Sequence, residues 1–252
     1  MPRYLVRISY DGTDFSGWQI QNDVRTVQQC LEEAVSFFSK NDKIPVTGAG
    51  RTDAGVHALS QYAHFDLPKE LSERQLVSAI NTHLPADIRI LNSWQIKEDF
   101  SARYDALSRT YHYHLCKSRT PFNRNYASFL PRMRINSEII NSCLPYFLGK
   151  QDFTSFAKFN PDLKHYNCDV KLLTLTETED ELLFVIKANR FLHNMVRRIV
   201  GTSIRIGHHE KSPSLIQDLL AAKNASSDMI FTAPPQGLYL AEVEYEFLNK
   251  EI

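Results

Sequence analysis

Hydrophobic and polar positions alternate from the first residues. Tyr4, Val6, Ile8 and Tyr10 interleave with Leu5, Arg7 and Ser9, a period of two that predicts a β-strand ended by the Asp11-Gly12 turn. The period then lengthens. Val27, Cys30, Leu31, Ala34, Val35 and Phe38 recur at helical spacing behind Thr26 and Gln29, which are placed as a capping box. Ile44 to Thr47 and Gln61 to Leu67 predict strands on either side of a glycine-rich run, too broken by glycine to be a regular element. Ser72 and Gln75 form a second capping box, opening a helix through Leu76, Ile80 and Leu84, and Ile88 to Ile96 predicts a further strand. The order β-α-β-β-α-β is the split βαβ arrangement, an antiparallel sheet with two helices on one face and its other face free to bind.

The polar stretch Lys97 to Ser108 is the best boundary in the chain. Beyond it come strands near Thr110 to Cys116 and Leu172 to Lys187, and helices near Ser137 to Leu148, Phe191 to Ile206 and Ser212 to Ala222, with a closing strand at Leu238 to Phe247. No repeat of fixed period and no low-complexity tract interrupts this order. The expected fold class is α+β: two related α/β units of ferredoxin-like character, with antiparallel-rich sheets flanked by helices and a cleft between them. Residues 1–104 would form the first domain, carrying the glycine-rich loop, and 105–252 the second, completing the cleft.

Composition narrows the class without naming a function. Of 252 residues, 43% are hydrophobic and 23% charged, as in ordinary globular proteins, and no apolar run approaches a membrane span. A cytoplasmic location is expected, since the N-terminus has strand-like alternation and no signal-peptide core. Cys30, Cys116, Cys143 and Cys168 are scattered without metal-ligand spacing, which predicts reduced, mostly buried thiols. Net charge is zero, yet its distribution is uneven: Arg103, Arg109, Lys117, Arg119, Arg124, Arg132 and Arg134 face a single acid, Asp105. That segment permits a phosphate-binding face, although a solvated basic surface would look the same.

The strongest candidate chemistry lies in Gly48-Ala49-Gly50-Arg51-Thr52-Asp53-Ala54-Gly55-Val56-His57. Glycines around one carboxylate let backbone approach a ligand closely, and a loop between strands puts Asp53 within a substrate's reach, as nucleophile or base. The spacing is neither the dinucleotide fingerprint nor a P-loop. An aspartate that merely shapes a turn is the ordinary alternative. In Arg109-Thr110-Tyr111-His112-Tyr113-His114-Leu115, the strand period puts Tyr111 and Tyr113 on one face and both histidines on the other. No acid lies beside the histidines and no Cys/His cluster has metal-ligand spacing, so no metal site is expected there. Further on, Leu192, Met195, Val196, Ile199 and Val200 make one apolar stripe, which leaves Arg197 and Arg198 on opposite flanks about 100° apart.

The run GAGRTDAGVHA resembles the signature of the TruA family of tRNA pseudouridine synthases, and YDGTDFSGWQ, RYDALSRTYHYHL, FLHNMVRRIVG and APPQGLYL resemble family segments in family order. The resemblance implies that Asp53 is the catalytic aspartate and that Tyr111 stacks on the target base. It implies that Arg197 pairs with Asp53 and that Arg51 assists in flipping out the target nucleotide. Leu240, in APPQGLYL, is counted with Arg51 and Tyr111 among the substrate-binding positions. The family implication continues to a homodimer without metal or organic cofactor, isomerising uridines 38, 39 and 40 in the anticodon stem-loop of tRNA. Two competing readings stay open on the residues alone. A non-catalytic RNA-binding module would share the split βαβ order, while a glycoside hydrolase would need a second carboxylate that the Asp53 loop lacks.

Overall fold

The computed structural model describes residues 1–39 and 42–248. The chain divides into two compact units, the first comprising residues 1–107 together with the chain from Tyr239 onward, the second Ser108–Leu238. The division falls inside the polar boundary stretch. The closing segment, expected with the second domain, lies in the first unit instead because its strand finds an open edge there.

In the first unit β1 (Arg3–Tyr10) is followed by α1 (Val27–Ser36), the two-residue β2 (Thr47–Gly48), β3 (His57–Asp66), α2 (Glu73–Asn81) and β4 (Ile88–Ile96), and β9 (Leu238–Glu244) returns at the end. The strand order is β4-β1-β3, with both β2 and β9 against β3. β1 pairs antiparallel with β3, Val6 opposite Ala63, and with β4, Val6 opposite Ser93. β2 lies against the far end of β3, at Ala63 and His64, whereas β9 runs parallel to its beginning, His57 opposite Tyr239 and Ala58 opposite Leu240. Tyr4, Val6, Ile8 and Tyr10 are all buried as expected of β1, but Leu5 on the opposite face is fully buried too, so burial alternates only from Val6 onward.

Ser72 and Gln75 close a complete capping box, the Ser72 hydroxyl accepting from the Gln75 amide and Gln75 Oε1 accepting from Ser72 N–H at 3.1 Å. Only half of the first box forms. Thr26 caps the Gln29 amide, but the Gln29 side chain donates forward to Glu33 at 2.9 Å, one helical turn on, rather than back to Thr26. The strand expected from Ile44 shrinks to Thr47–Gly48. The backbone before it is held otherwise, Val46 N–H donating to the buried carboxylate of Glu32 at 3.2 Å. The helix expected through Leu84 ends at Asn81, where Thr82 turns its hydroxyl back to Ala79 O.

The second unit contains β5 (Ser108–Cys116), α3 (Ser137–Cys143), β6 (Gly149–Asp152), β7 (Asn167–Glu177), β8 (Glu181–Ala188), α4 (Met195–His208) and α5 (Leu215–Ala222), with strand order β5-β8-β7-β6. All three pairings are antiparallel. The single span expected at Leu172 to Lys187 is a hairpin, because Thr178 to Asp180 form a polar turn in which Thr178 N–H donates to Glu181 O. Pro145 stops α3 early, and the chain continues as a short 3₁₀ turn over Leu144–Phe147. α4 begins at Met195 rather than Phe191, since Asn194 sits in the left-handed region at φ 65° and breaks the helical path. Both units are thus α+β, with sheets mostly antiparallel, and no helix among the described residues is long and apolar enough to cross a membrane.

Candidate active site

Asp53 stands half-exposed on the loop between β2 and β3, and the segment that follows β1 shapes that loop from below. Trp18 N–H donates to Thr52 O at 3.1 Å, Gly55 N–H to Phe15 O at 3.2 Å, and Val56 N–H closes a turn on the Asp53 carbonyl at 3.2 Å. Thr52 Oγ1 meets the Tyr10 hydroxyl at 2.8 Å, and Gln61 Nε2 holds Gly50 O at 3.0 Å. Burial keeps the Tyr10 phenol far above its ordinary pKa, so it is neutral at any working pH.

Two glycines make this fit possible. Gly17 adopts φ 91°, and a Cβ there would lie 2.6 Å from Thr52 O; a Cβ on Gly12 would overlap the Val56 carbonyl. The motifs YDGTDFSGW and GAGRTDAGVH are therefore mould and cast. Around Asp53 the loop is exposed only at Arg51 and Ala54, with Thr52, Val56 and His57 buried.

His57 anchors the trailing end of the loop. Gly12 N–H donates to its Nδ1 at 3.0 Å, Asp11 Oδ1 lies 3.2 Å from the same nitrogen, and the ring stacks on Tyr239 with centroids 4.7 Å apart. Periodicity alone does not single out Tyr10, Gln61 and His57 for these bracing contacts. The paired glycines of the two motifs were the available signal. Leu240 is fully buried on β9 opposite Ala58, just after the loop enters β3. Asp53, Arg51 and Leu240 thus all belong to the first unit.

Tyr111 and Arg197 belong to the second. Tyr111 on β5 is 7% exposed and packs edge-on against Phe191, centroids 5.1 Å apart, on the same face as the fully buried Tyr113. Tyr113 serves the core, its hydroxyl donating to Ser128 Oγ at 2.7 Å and Pro234 O at 3.0 Å. His114, across the strand, meets one carboxylate, Glu181, at 3.1 Å, and no group of three or more metal-capable side chains exists among the described residues.

Arg197 lies in the first turn of α4. Its Nε donates to Ala233 O at 2.7 Å and its Nη1 to Asn194 Oδ1 at 3.2 Å, while Ala233 N–H donates to Arg197 O at 3.0 Å. Backbone and side chain grip the same residue, which fixes the plane of the guanidinium. Arg198 turns to the other flank, with Nη1 donating to Ala157 O at 2.7 Å, and burial draws its pKa below the arginine norm.

A carboxylate on a braced loop can serve as nucleophile or base, and a clamped arginine can supply a fixed positive charge. A model of the tRNA pseudouridine synthase family matches residues 7–105 and 144–246, ranges that take in Arg51, Asp53, Arg197 and Leu240, with Tyr111 between them. The chain is 39% identical over 251 residues to tRNA pseudouridine synthase A of Limosilactobacillus reuteri, with 97% of each chain covered. It is 41% identical over 248 residues to tRNA pseudouridine synthase A 1 of Bacillus cereus, covering 97% of this chain and 99% of the relative. With tRNA pseudouridine synthase A of Oceanobacillus iheyensis it shares 38% identity over 256 residues, 98% of each chain. On that full-length likeness, the chain belongs to the tRNA pseudouridine synthase family.

Proposed function

We propose that this protein isomerises uridine to pseudouridine in tRNA, at positions 38, 39 and 40 of the anticodon stem-loop, as a cytoplasmic homodimer. The observation that carries the reading is the bracing of Asp53 by buried contacts from Tyr10 to Trp18, in a chain alike throughout to tRNA pseudouridine synthases. The reaction breaks the bond from N1 of uracil to C1′, turns the base, and forms the bond from C5 to C1′. A proton leaves C5 and N1 gains one, so the change needs no redox partner and no added group.

Asp53 acts on the target nucleotide at its sugar or base, and Arg197 takes the part of the fixed positive charge that the family resemblance pairs with it. Tyr111 stacks on the extruded uracil, offsetting part of the few kcal/mol that unstacking costs. Arg51, exposed beside Asp53, occupies the space the flipped nucleotide vacates. Leu240, buried under the end of the loop, backs the base pocket.

Incubating the enzyme with C5-tritiated tRNA transcript tests the reading. Tritium should pass into water with no cofactor added, and Asp53→Asn should reduce release at least a thousandfold while tRNA binding and melting temperature stay near the parent's. Asparagine keeps the shape and loses the nucleophile or base. Turnover of Asp53→Asn within tenfold of the parent would return Asp53 to the role of turn former. Light scattering checks the dimer.

A further inference from the structure

Between Lys117 and Ser137 the chain carries five basic residues and no acid. Lys117 is committed to Glu177 at 2.7 Å and Arg134 to Glu210 at 2.7 Å. Arg119, Arg124 and Arg132 are exposed and make no ion pair among the described residues. At the crest of the turn between Arg119 and Arg124 stands Phe122, 91% exposed, the most exposed large hydrophobic side chain among the described residues.

A single exposed apolar residue is ordinary on a protein surface. The turn beneath this one is not loose. Thr120 N–H donates to Asn123 Oδ1 at 2.7 Å, and Thr120 Oγ1 accepts from the amides of Phe122 at 3.3 Å and Asn123 at 3.2 Å. Asn123 Nδ2 donates to Ser118 O at 3.0 Å, and the guanidinium of Arg124 donates to Pro121 O. The base of the loop is sewn to β5 through Cys116 N–H to Ser128 O and Ser128 N–H to His114 O. With Pro121 fixing its own φ, the ring is presented already ordered, so a partner need not supply that ordering.

We propose that Phe122 is a stacking platform for an unpaired base of the substrate tRNA, separate from the base being isomerised, with Arg119 and Arg124 taking the phosphates beside it. The proposal rests on the RNA-modifying reading above. An aromatic face between guanidinium groups fits a single-stranded nucleotide, whose base offers a π-face and whose backbone offers the charge. A second copy of this chain fits less well. Two such loops meeting about a two-fold axis would set Arg119 and Arg124 against their own copies, with no acid in the loop to separate them.

The test titrates unmodified full-length tRNA transcript against the parent, Phe122→Leu, Phe122→Trp and the double variant Arg119→Gln/Arg124→Gln at several salt concentrations, with sedimentation of each protein alone. Leucine keeps the apolar bulk and removes the π-face. Phe122→Leu should weaken binding roughly 5- to 150-fold, the range of one base-on-aromatic stack, without altering the salt slope. Phe122→Trp should bind at least as well as the parent, while the arginine pair should flatten the slope by about 1.4–1.8. Binding of Phe122→Leu within twofold of the parent, or equal losses for leucine and tryptophan, would overturn the proposal. So would a parent dimer that Phe122→Leu converts to monomer, which would assign the ring to contact between copies. Tritium release by the parent is read separately. If it is absent the isomerase reading fails, whereas its presence with unchanged binding by Phe122→Leu sinks this inference alone.

Discussion

Arg197 and Arg198 lie one position apart on α4, yet Arg197 reaches Asn194 and Ala233 while Arg198 reaches Ala157, Ser155 and Thr232. The contrast turns two chemically identical side chains into separable experiments. Arg198→Met strips donors from part-buried carbonyls and should cost about 1–3 kcal/mol of stability in urea titration, with turnover per folded molecule close to the parent's. Arg197→Met keeps the apolar stem but removes the charge proposed to attend Asp53. Single-turnover rates should fall at least about a hundredfold, because the positioning that a fixed charge provides is lost. Equal rate defects would mean the wrong arginine has been chosen. The apolar stripe was legible, as Leu192, Met195, Val196, Ile199 and Val200 are all buried. The division of labour between its flanks was not, because the carbonyls that sort the two arginines come from residues about 35–45 positions away in sequence.

The segment from Lys97 to Ser108 illustrates how an element's polarity can mislead at the next scale up. Its composition predicts a boundary, and the unit division does fall there, but the backbone is pinned along its length: Arg3 donates to Phe100 O at 2.9 Å, Tyr245 OH to Ala102 O at 2.6 Å, and Ala102 N–H to His64 Nδ1 at 3.1 Å. That last bond needs a neutral imidazole. Burial, aided by Arg3, lowers the His64 pKa below its ordinary 6.5 against the opposing pull of Asp66 and Asp105. The unfolded chain therefore takes up the proton first, so the contribution of His64 is complete above about pH 6.5 and drains away as pH falls below it. The unfolding free energy of the parent should decline more steeply from pH 7 to pH 5 than that of His64→Gln, and parallel curves would contradict the assignment. The loop after β5 carries its own prediction. Replacing Arg119, Arg124 and Arg132 together by glutamine should flatten the salt dependence of tRNA binding by about 2–2.7 in log–log slope, whereas an unchanged slope would make the segment an idle surface.

Across the whole molecule, the first unit is discontinuous in sequence and the second is not, a feature that local periodicity has no means of signalling. The succession β-α-β-β-α-β followed from local periodicity, but the sheet order β4-β1-β3 did not, since β1 pairs with β3 and β4 rather than with the next strand in the chain. The parallel seat of β9 beside the start of β3 joins residues about 180 positions apart, and only the folded sheet reveals it. Ending the chain at Leu238 should therefore damage the first unit selectively. Burial of Leu240 and Val243 alone contributes about 3–6 kcal/mol, a large share of a typical domain's stability. Amide exchange should quicken throughout β1 and β3 while β7 and β8 keep their protection; uniform loss of protection would show that the units do not fold separately. The same topology sets a schedule for the newborn chain. At about 5–20 residues per second the ribosome needs roughly 7–26 s to travel from residue 107 to residue 239, and throughout that interval the sheet behind the Asp53 loop waits with one edge open. The Asp53 loop, encoded in the first quarter of the chain, is thus among the last parts of the protein to mature, and a nascent chain stalled before Tyr239 would hold every residue of that loop without the aromatic ring on which His57 stacks.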